Sequence, residues 1–186
     1  MPMTTTHALL PVAAAVAFAQ RPVPWRLIIF AAAASAAPDV DGLFKHFLGI
    51  LPSSPYGHRG AAHSLFAALA CGLLAAAFHK LLRVPALVAG VSIALAMGSH
   101  GILDMMTDSG DPVAYLWPVS SARLFADWRP IHGSTVTLAH LISEVFARFV
   151  SDFRQLIAPM FLVALAIRGL RAARDKRQTD ASLVHN

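Results

Sequence analysis

The sequence predicts an all-α protein that forms a polytopic transmembrane bundle of four to five helices. Of its 186 residues, 56% are hydrophobic and only 13% are charged, whereas about 25% of the residues in a soluble domain are charged. A soluble fold of this length could not bury so much apolar surface. The same composition excludes a disordered chain. The single cysteine, Cys71, excludes a disulfide framework. We therefore expect one integral membrane domain over residues 1–186.

Five apolar segments, separated by turn residues, are the predicted spans. Pro24 and Pro85 open two of them, since proline suits the first turn of a helix. Several segments are shorter than the roughly 20 residues that a perpendicular span needs, so we expect tilted helices or local thinning of the bilayer. Frequent alanine and glycine favour close helix packing. The predicted spans are residues 6–19, 24–38, 63–82, 85–107 and 156–170.

Two regions outside the spans have their own patterns. Within the long loop 108–153, apolar residues recur at helical spacing over 136–150, which predicts an amphipathic helix lying in the membrane interface. Residues 171–186 form a basic tail, for which anionic lipid is the expected partner. The chain has no basic stripe with interleaved aromatics, so we expect no nucleic-acid partner.

Alternating spans place seven potential metal ligands, contributed by four helices, on one membrane face. The start of the first span, the end of the second, the start of the third and the end of the fourth meet there. Random placement would scatter these residues over both faces, and ionisable groups in membranes are costly and usually functional. The metal ligands predicted in this way are His7, Asp39, Asp41, His58, His63, His100 and Asp104.

The opposite face collects the basic residues of the short loops and the basic tail. By the positive-inside rule, the ligand face is periplasmic and the C-terminus cytoplasmic. A four-span alternative would move the tail to the other side.

Two motifs offer pairs of metal ligands. His100 and Asp104 are four residues apart on one helix face and can reach one divalent ion, although a hydrogen-bonded pair would satisfy the same two groups. Asp39 and Asp41 follow a helix end and repel each other unless a cation or a proton lies between them. An Asx turn would explain one of these two aspartates but not both.

The most specific stretch is Gly57-His-Arg-Gly-Ala-Ala-His-Ser64. Its two histidines flank an arginine just before an apolar helix, and the planar guanidinium of Arg59 suits a phosphate or carboxylate. The alternative is a histidine at a helix start and an arginine that anchors lipid headgroups.

These motifs together resemble the YdjM-type family, described as LexA-regulated, metal-dependent hydrolases of the bacterial inner membrane. The resemblance covers residues 4 to 118 and includes His7 and Leu116-Trp117-Pro118. Ala62 departs from it, because a threonine is expected there. The resemblance implies a multi-pass protein of the inner membrane.

A more distant likeness is to the zinc-dependent phospholipase C and single-strand nuclease group. Those enzymes have an early His, an Asp, a His and a His-x-x-x-Asp in this order, which corresponds here to His7, Asp39 or Asp41, His63, and His100 with Asp104. This analogy in ligand order implies phosphoester hydrolysis at a multi-metal centre and fixes no substrate.

The leading hypothesis is therefore a membrane hydrolase with one or two divalent ions, zinc being expected. Its first site comprises Asp41, His63, His100 and Asp104, while Asp39, His7 and His58 share a second site or orient the first. The metal activates a water, and Asp39 or Asp104 takes the proton. His58 completes the predicted catalytic set, and the predicted substrate-binding residues are Arg59, Ser64 and Thr107.

The expected substrate is a membrane lipid or a lipid-linked phosphoester, with the amphipathic helix as a floor or lid. One alternative is a transporter or permease for a metal ion or small solute that uses the same cluster. Transport sites lie near the bilayer midplane between inverted repeats, and the sequence shows no such repeat. A second alternative is a non-catalytic membrane scaffold.

Overall fold

The protein is described by a computed structural model that covers residues 3–20, 22–42, 47–132 and 141–184. Its regular elements are helices, which confirms the all-α prediction, and the described residues add only two isolated β-bridges. The helices are α1 (Thr4–Phe18), α2 (Trp25–Ala36), α3 (Leu65–Ala77), α4 (His79–Leu82), α5 (Ala86–Met105), α6 (Leu141–Asp152) and α7 (Ala158–Val184). Two 3-10 turns, Ala37–Asp41 and Ala61–His63, and a π turn, Phe153–Ile157, complete the set.

Individual side chains set the helix ends that lie next to the predicted ligands. Pro38 has no N–H with which to continue the α-helical hydrogen bonds, and the chain tightens after Ala36 into a 3-10 turn. Ser64 begins α3 as its N-cap, because its hydroxyl accepts the Ala67 N–H at 3.1 Å. The predicted span 63–82 is divided at Phe78 into α3 and α4.

Helix α5 lies at the centre of the bundle and packs against α2 and α3, while α1 packs against α2 and α7. Small residues line these contacts, as at Ala31 and Ala89. A Cβ on Gly72 would lie 2.7 Å from the Gly90 carbonyl oxygen. Glycine is therefore required where α3 and α5 approach each other.

Burial follows the reverse of the pattern in a soluble protein. Large apolar side chains face outward, including Leu73 at 74% exposed and Leu87 at 77%, while the fully buried side chains include Arg59 and Asp104. Because soluble proteins rarely bury charge in this way, the arrangement favours an apolar solvent around the helices.

Two of the described helices are long and apolar enough to cross a membrane. They are Ala86–Met105, which matches the predicted span 85–107, and the continuous helical stretch Val145–Gln178, which contains the predicted span 156–170. Helices α1 and α3 are apolar but shorter. The count of four to five spans stays a prediction.

Helix α6 overlaps the predicted amphipathic helix 136–150, whose first residues lie outside the described part. Its last residue, Asp152, is buried and accepts hydrogen bonds from the Met3 N–H and the Thr6 hydroxyl, each at 2.7 Å. This carboxylate thus caps the first turn of α1, where the N–H groups lack helical partners.

Candidate metal centre

The structure brings all seven predicted ligands into one cluster at the ends of several helices. They are contributed by the first turn of α1, the 3-10 turn after α2, the loop before α3 and the last turns of α5. The members are His7, Asp39, Asp41, His58, His63, His100 and Asp104. Residues distant in sequence therefore share one small, mostly buried volume.

Four of these side chains form a first set, Asp39, His63, His100 and Asp104, whose ligand atoms lie within 4.8 Å of one another. The Nε2 atom of His100 lies 3.4 Å from Asp39 Oδ1 and 3.6 Å from Asp104 Oδ2. The Nε2 atom of His63 lies 3.4 Å from Asp104 Oδ2. The sequence interpretation placed Asp41 in this set, whereas the structure places Asp39 there.

A second set, Asp41, His58 and His63, shares His63 with the first. The Nδ1 atom of His58 lies 2.7 Å from Asp41 Oδ1 in a hydrogen bond, and the Nδ1 atom of His63 lies 3.1 Å from Asp41 Oδ2. Each nitrogen of His63 therefore faces a different carboxylate, and this ring links the two sets.

Apart from the hydrogen bond between His58 and Asp41, the short distances between the seven predicted ligands are not hydrogen bonds. Among the described residues, buried side-chain atoms without a hydrogen-bond partner are concentrated here: His7 Nδ1 and Nε2, Asp39 Oδ1, Asp41 Oδ2, Arg59 Nε, His63 Nδ1 and Nε2, His100 Nε2 and Asp104 Oδ2. Each unsatisfied buried group costs about 1–3 kcal/mol. Imidazole nitrogens and carboxylate oxygens that face one another without bonding are the donor set that divalent zinc prefers.

Partners outside the first set hold the other atoms of its members. The Nδ1 atom of His100 lies 2.7 Å from the Ser35 carbonyl oxygen. A donated N–H at Nδ1 fixes the tautomer whose Nε2 carries a lone pair toward the set. The hydroxyl of Thr4 donates to Asp39 Oδ2 at 2.6 Å, which leaves Oδ1 facing the set. Such outer partners are typical of metal sites.

The buried side chain of Arg59 holds Asp104, another member of the first set, in the same way. Its NH2 group donates to Asp104 Oδ1 at 3.0 Å, leaving Oδ2 toward the set. Its NH1 group donates to the backbone carbonyls of Ser109 and Asp111. Arg59 has a φ of 60°, a left-handed conformation that is rare outside glycine.

The charges of the cluster suit a divalent cation. Three carboxylates, Asp39, Asp41 and Asp104, and the Arg59 guanidinium give the cluster a net charge of −2 when the imidazoles are neutral. Burial alone would raise the pKa of Asp41, but the imidazoles of His58 and His63 outweigh it and lower this pKa. The pKa of Asp39 is likewise raised by burial and lowered more strongly by His100 and Thr4. Both carboxylates are therefore ionised at neutral pH.

The predicted substrate-binding residues have other contacts. Arg59 is fully buried and bound as described above. The hydroxyl of Ser64 donates to the Ala61 carbonyl and caps α3, and that of Thr107 donates to the Leu103 carbonyl at 3.0 Å. This geometry favours structural roles for all three rather than contact with substrate.

His7 belongs to neither of the two ligand sets. Its ring stacks on that of His100 with 3.7 Å between ring centroids, and its Nε2 lies 3.8 Å from Asp104 Oδ1. It borders the cluster, and its predicted role as a ligand stays a prediction.

No sequence pattern indicates the role of Arg123, which holds the loop that carries His58. Its guanidinium donates to four backbone carbonyls, those of Pro52 (2.6 Å), Ser54 (3.0 Å), His58 (3.2 Å) and Pro112 (3.3 Å). The acceptors come from two loops, so no local pattern around residue 123 could have indicated this role.

Gly101 is a second residue whose importance appears only in the structure. A Cβ there would lie 2.6 Å from the His63 carbonyl oxygen and 2.8 Å from the Tyr115 ring. We expect Gly101→Ala to displace His63, to lower the free energy of unfolding by about 1–3 kcal/mol and to weaken zinc binding. Thermal denaturation in detergent and zinc titration measure the two effects.

Gly98→Ala is the matched control on the same helix, since its Cβ would have no atom closer than 3.6 Å. Equal behaviour of the two variants would contradict this role of Gly101.

Comparison with known proteins finds similarity to inner membrane proteins. The model of a family described as "YdjM inner membrane protein" matches residues 1–175. "Inner membrane protein YbcI" of Escherichia coli (strain K12) is 32% identical over 132 residues, which are 70% of this chain and 76% of that protein. No solved structure matches the chain significantly.

Proposed function

The chain belongs to the YdjM inner membrane protein family, and from this premise we propose that it is a metal-dependent hydrolase. Its proposed reaction is cleavage of a phosphoester bond in a membrane lipid or lipid-linked substrate. The distribution of basic residues supports a periplasmic site and a cytoplasmic C-terminus, with anionic lipid at the basic tail.

One observation carries the proposal: buried ligand atoms face one another without hydrogen bonds while outside partners hold the same side chains. A structural polar cluster would satisfy its members internally, because buried polar groups are nearly always bonded. A divalent cation would satisfy Asp39, His63, His100 and Asp104 together and neutralise the surrounding charge. Zinc is the first candidate, since it takes nitrogen and oxygen ligands in fourfold sites.

When bound, such a cation lowers the pKa of a water molecule and polarises the phosphoester. The protein's own residues then have to orient the substrate and handle the proton. A lipid is the favoured substrate because the cluster lies at the helix ends of an inner membrane protein, where a headgroup can approach while its chain stays in the apolar layer.

We assign the proton transfer to His58, where the sequence interpretation favoured Asp39 or Asp104. Those two carboxylates belong to the first set, which the cation would occupy, and they are held by outside partners. The side chain of His58 is 19% exposed, so it borders the buried cluster, and its Nδ1 bonds to the buried Asp41. A carboxylate that orients an imidazole in this way leaves the other ring nitrogen to accept and return a proton.

Replacing His58 with glutamine tests this assignment. We expect metal content to persist and hydrolysis to fall by about 10²–10⁴-fold, the usual contribution of a general acid–base group. The measurement is phosphate or alcohol release from a panel of phospholipids and isoprenoid phosphates by purified protein in detergent.

The control for His58→Gln is His79→Gln, because the His79 ring lies 2.9 Å from the Val84 carbonyl, beyond the far end of α3. Unchanged hydrolysis in His58→Gln would contradict its role. Wild-type protein that binds metal and hydrolyses nothing in the panel would contradict the proposed reaction.

A further inference from the structure

A groove of about 380 Å³ runs between α2 and α3. Both helices pack against α5, whose Ile93 lines the groove. Phe30 and Ala33 line it from α2, and Cys71 and Leu74 from α3. Its lining is almost wholly apolar, so it has no group that would hold a polar ligand.

The three helices that form this groove also lead to the ligands of the first set. Ala37, at one end of the groove, is two residues before Asp39. Ile93 is seven residues before His100 on the same face of α5, a separation of about 10 Å at 1.5 Å per residue. Helix α3 begins two residues after His63. The groove therefore runs along the same three helices toward the cluster, and its lining comes nearest to the first set at Ala37.

We propose that this groove receives the apolar chain of the lipid substrate while the phosphate of that lipid reaches the first set. This inference rests on the proposed function and specifies which part of the protein selects a long-chain substrate. Helix α4 contributes Leu81 and Leu82 at the end remote from Asp39, so a chain entering from the cluster meets apolar side chains throughout.

A lipid chain that moves from the bilayer into an apolar groove gains no hydrophobic free energy, because lipid tails are equally apolar. The groove therefore orients the substrate rather than attracting it. With its imidazoles neutral, the metal-free cluster carries a net charge of −2 (three carboxylates and Arg59), which repels a phosphate. Binding of the whole lipid should thus require the cation.

Cys71 allows occupancy of the groove to be measured without knowledge of the natural substrate. It is the single cysteine of the chain, and it lines the groove. The rate at which N-ethylmaleimide modifies it is measured in detergent, with and without zinc, in the presence of hexadecyl phosphate. At about ten times its dissociation constant the bound probe leaves about a tenth of the sites free, so modification should slow about tenfold. Butyl phosphate and hexadecanol should give no protection.

Two variants test whether the protection of Cys71 comes from a chain bound in the groove. Moving the cysteine with Cys71→Ala and Ala77→Cys places it at an exposed position outside the groove, where hexadecyl phosphate should not protect it. Ala33→Phe fills the groove, so zinc binding should persist while the zinc-dependent protection of Cys71 is lost.

Equal modification rates with and without hexadecyl phosphate in zinc-loaded protein would overturn the groove assignment. Protection that is independent of zinc, that persists in Ala33→Phe or that butyl phosphate reproduces would overturn it as well. Zinc content, measured before the lipid is added, identifies failure of the proposed function separately: a protein that takes up no zinc would overturn both proposals.

Discussion

Replacing His63 with alanine is expected to abolish tight binding of a divalent cation. His63 links the two ligand sets, with Nδ1 3.1 Å from Asp41 Oδ2 and Nε2 3.4 Å from Asp104 Oδ2. Loss of its ring removes a ligand atom from the first set and also removes the group that separates two ionised carboxylates. We expect zinc affinity to fall by more than about 100-fold, beyond the 10–100-fold typical of an outer partner. Zinc titration of detergent-purified protein measures it.

His132→Ala is the matched control for this experiment. His132 also forms a short pair with an aspartate, 2.7 Å from Asp108 Oδ2, but it is exposed and lies outside both ligand sets. Its variant should bind zinc like the wild type. Wild-type affinity in a folded His63→Ala protein would refute the assignment of the site.

Replacing Arg59 with methionine is expected to produce the largest loss of stability. The guanidinium is fully buried and bonds to the equally buried Asp104 at 3.0 Å. Removing one partner of a buried ion pair strands the other charge, which costs about 3–5 kcal/mol. We expect this loss in metal-free protein. Zinc should restore part of it, because the cation replaces the positive charge beside Asp104.

Chemical denaturation in detergent, with zinc and with chelator, measures these changes in unfolding free energy. A double variant, Arg59→Met with Asp104→Leu, removes both charges. It should be more stable than the single variant without metal, yet it should not respond to zinc. Arg26→Met, at an exposed hydrogen bond to the Leu81 carbonyl, is the neutral control. A loss below about 1 kcal/mol in Arg59→Met would indicate that the pair is not desolvated.

The convergence of the ligands could be predicted because it depends on two simple properties of the sequence. Apolar segments mark the helices, and alternation of their direction decides which ends share a face. His7, Asp39, His63 and His100 lie at such ends, so their meeting required no knowledge of side-chain geometry.

The sequence could not show which of Asp39 and Asp41 belongs to the first ligand set and which to the second. Pro38 leads the chain into a 3-10 turn, in which residues two apart are rotated by about 240°. The two carboxylates therefore face different sides, Asp39 toward His100 and Asp41 toward His58. From sequence alone, either aspartate could have been the ligand in the first set.

The role of Arg59 also lay beyond the sequence pattern. Between glycines before a helix it suggests an exposed anion-binding group, but its left-handed backbone conformation accompanies a fully buried side chain. The partners that make this burial tolerable, Asp104 and the carbonyls of Ser109 and Asp111, are 45 or more residues away. Local spacing contains no information about them.

The metal content of the purified wild-type protein tests the central claim most directly. Elemental analysis after purification in detergent without chelator should find about one divalent ion per chain, since a 2+ charge neutralises the cluster, and zinc is expected. The same analysis should find the metal absent from His63→Ala and from Asp104→Ala. Wild-type protein that is metal-free even after incubation with zinc, or full occupancy in both variants, would contradict the account.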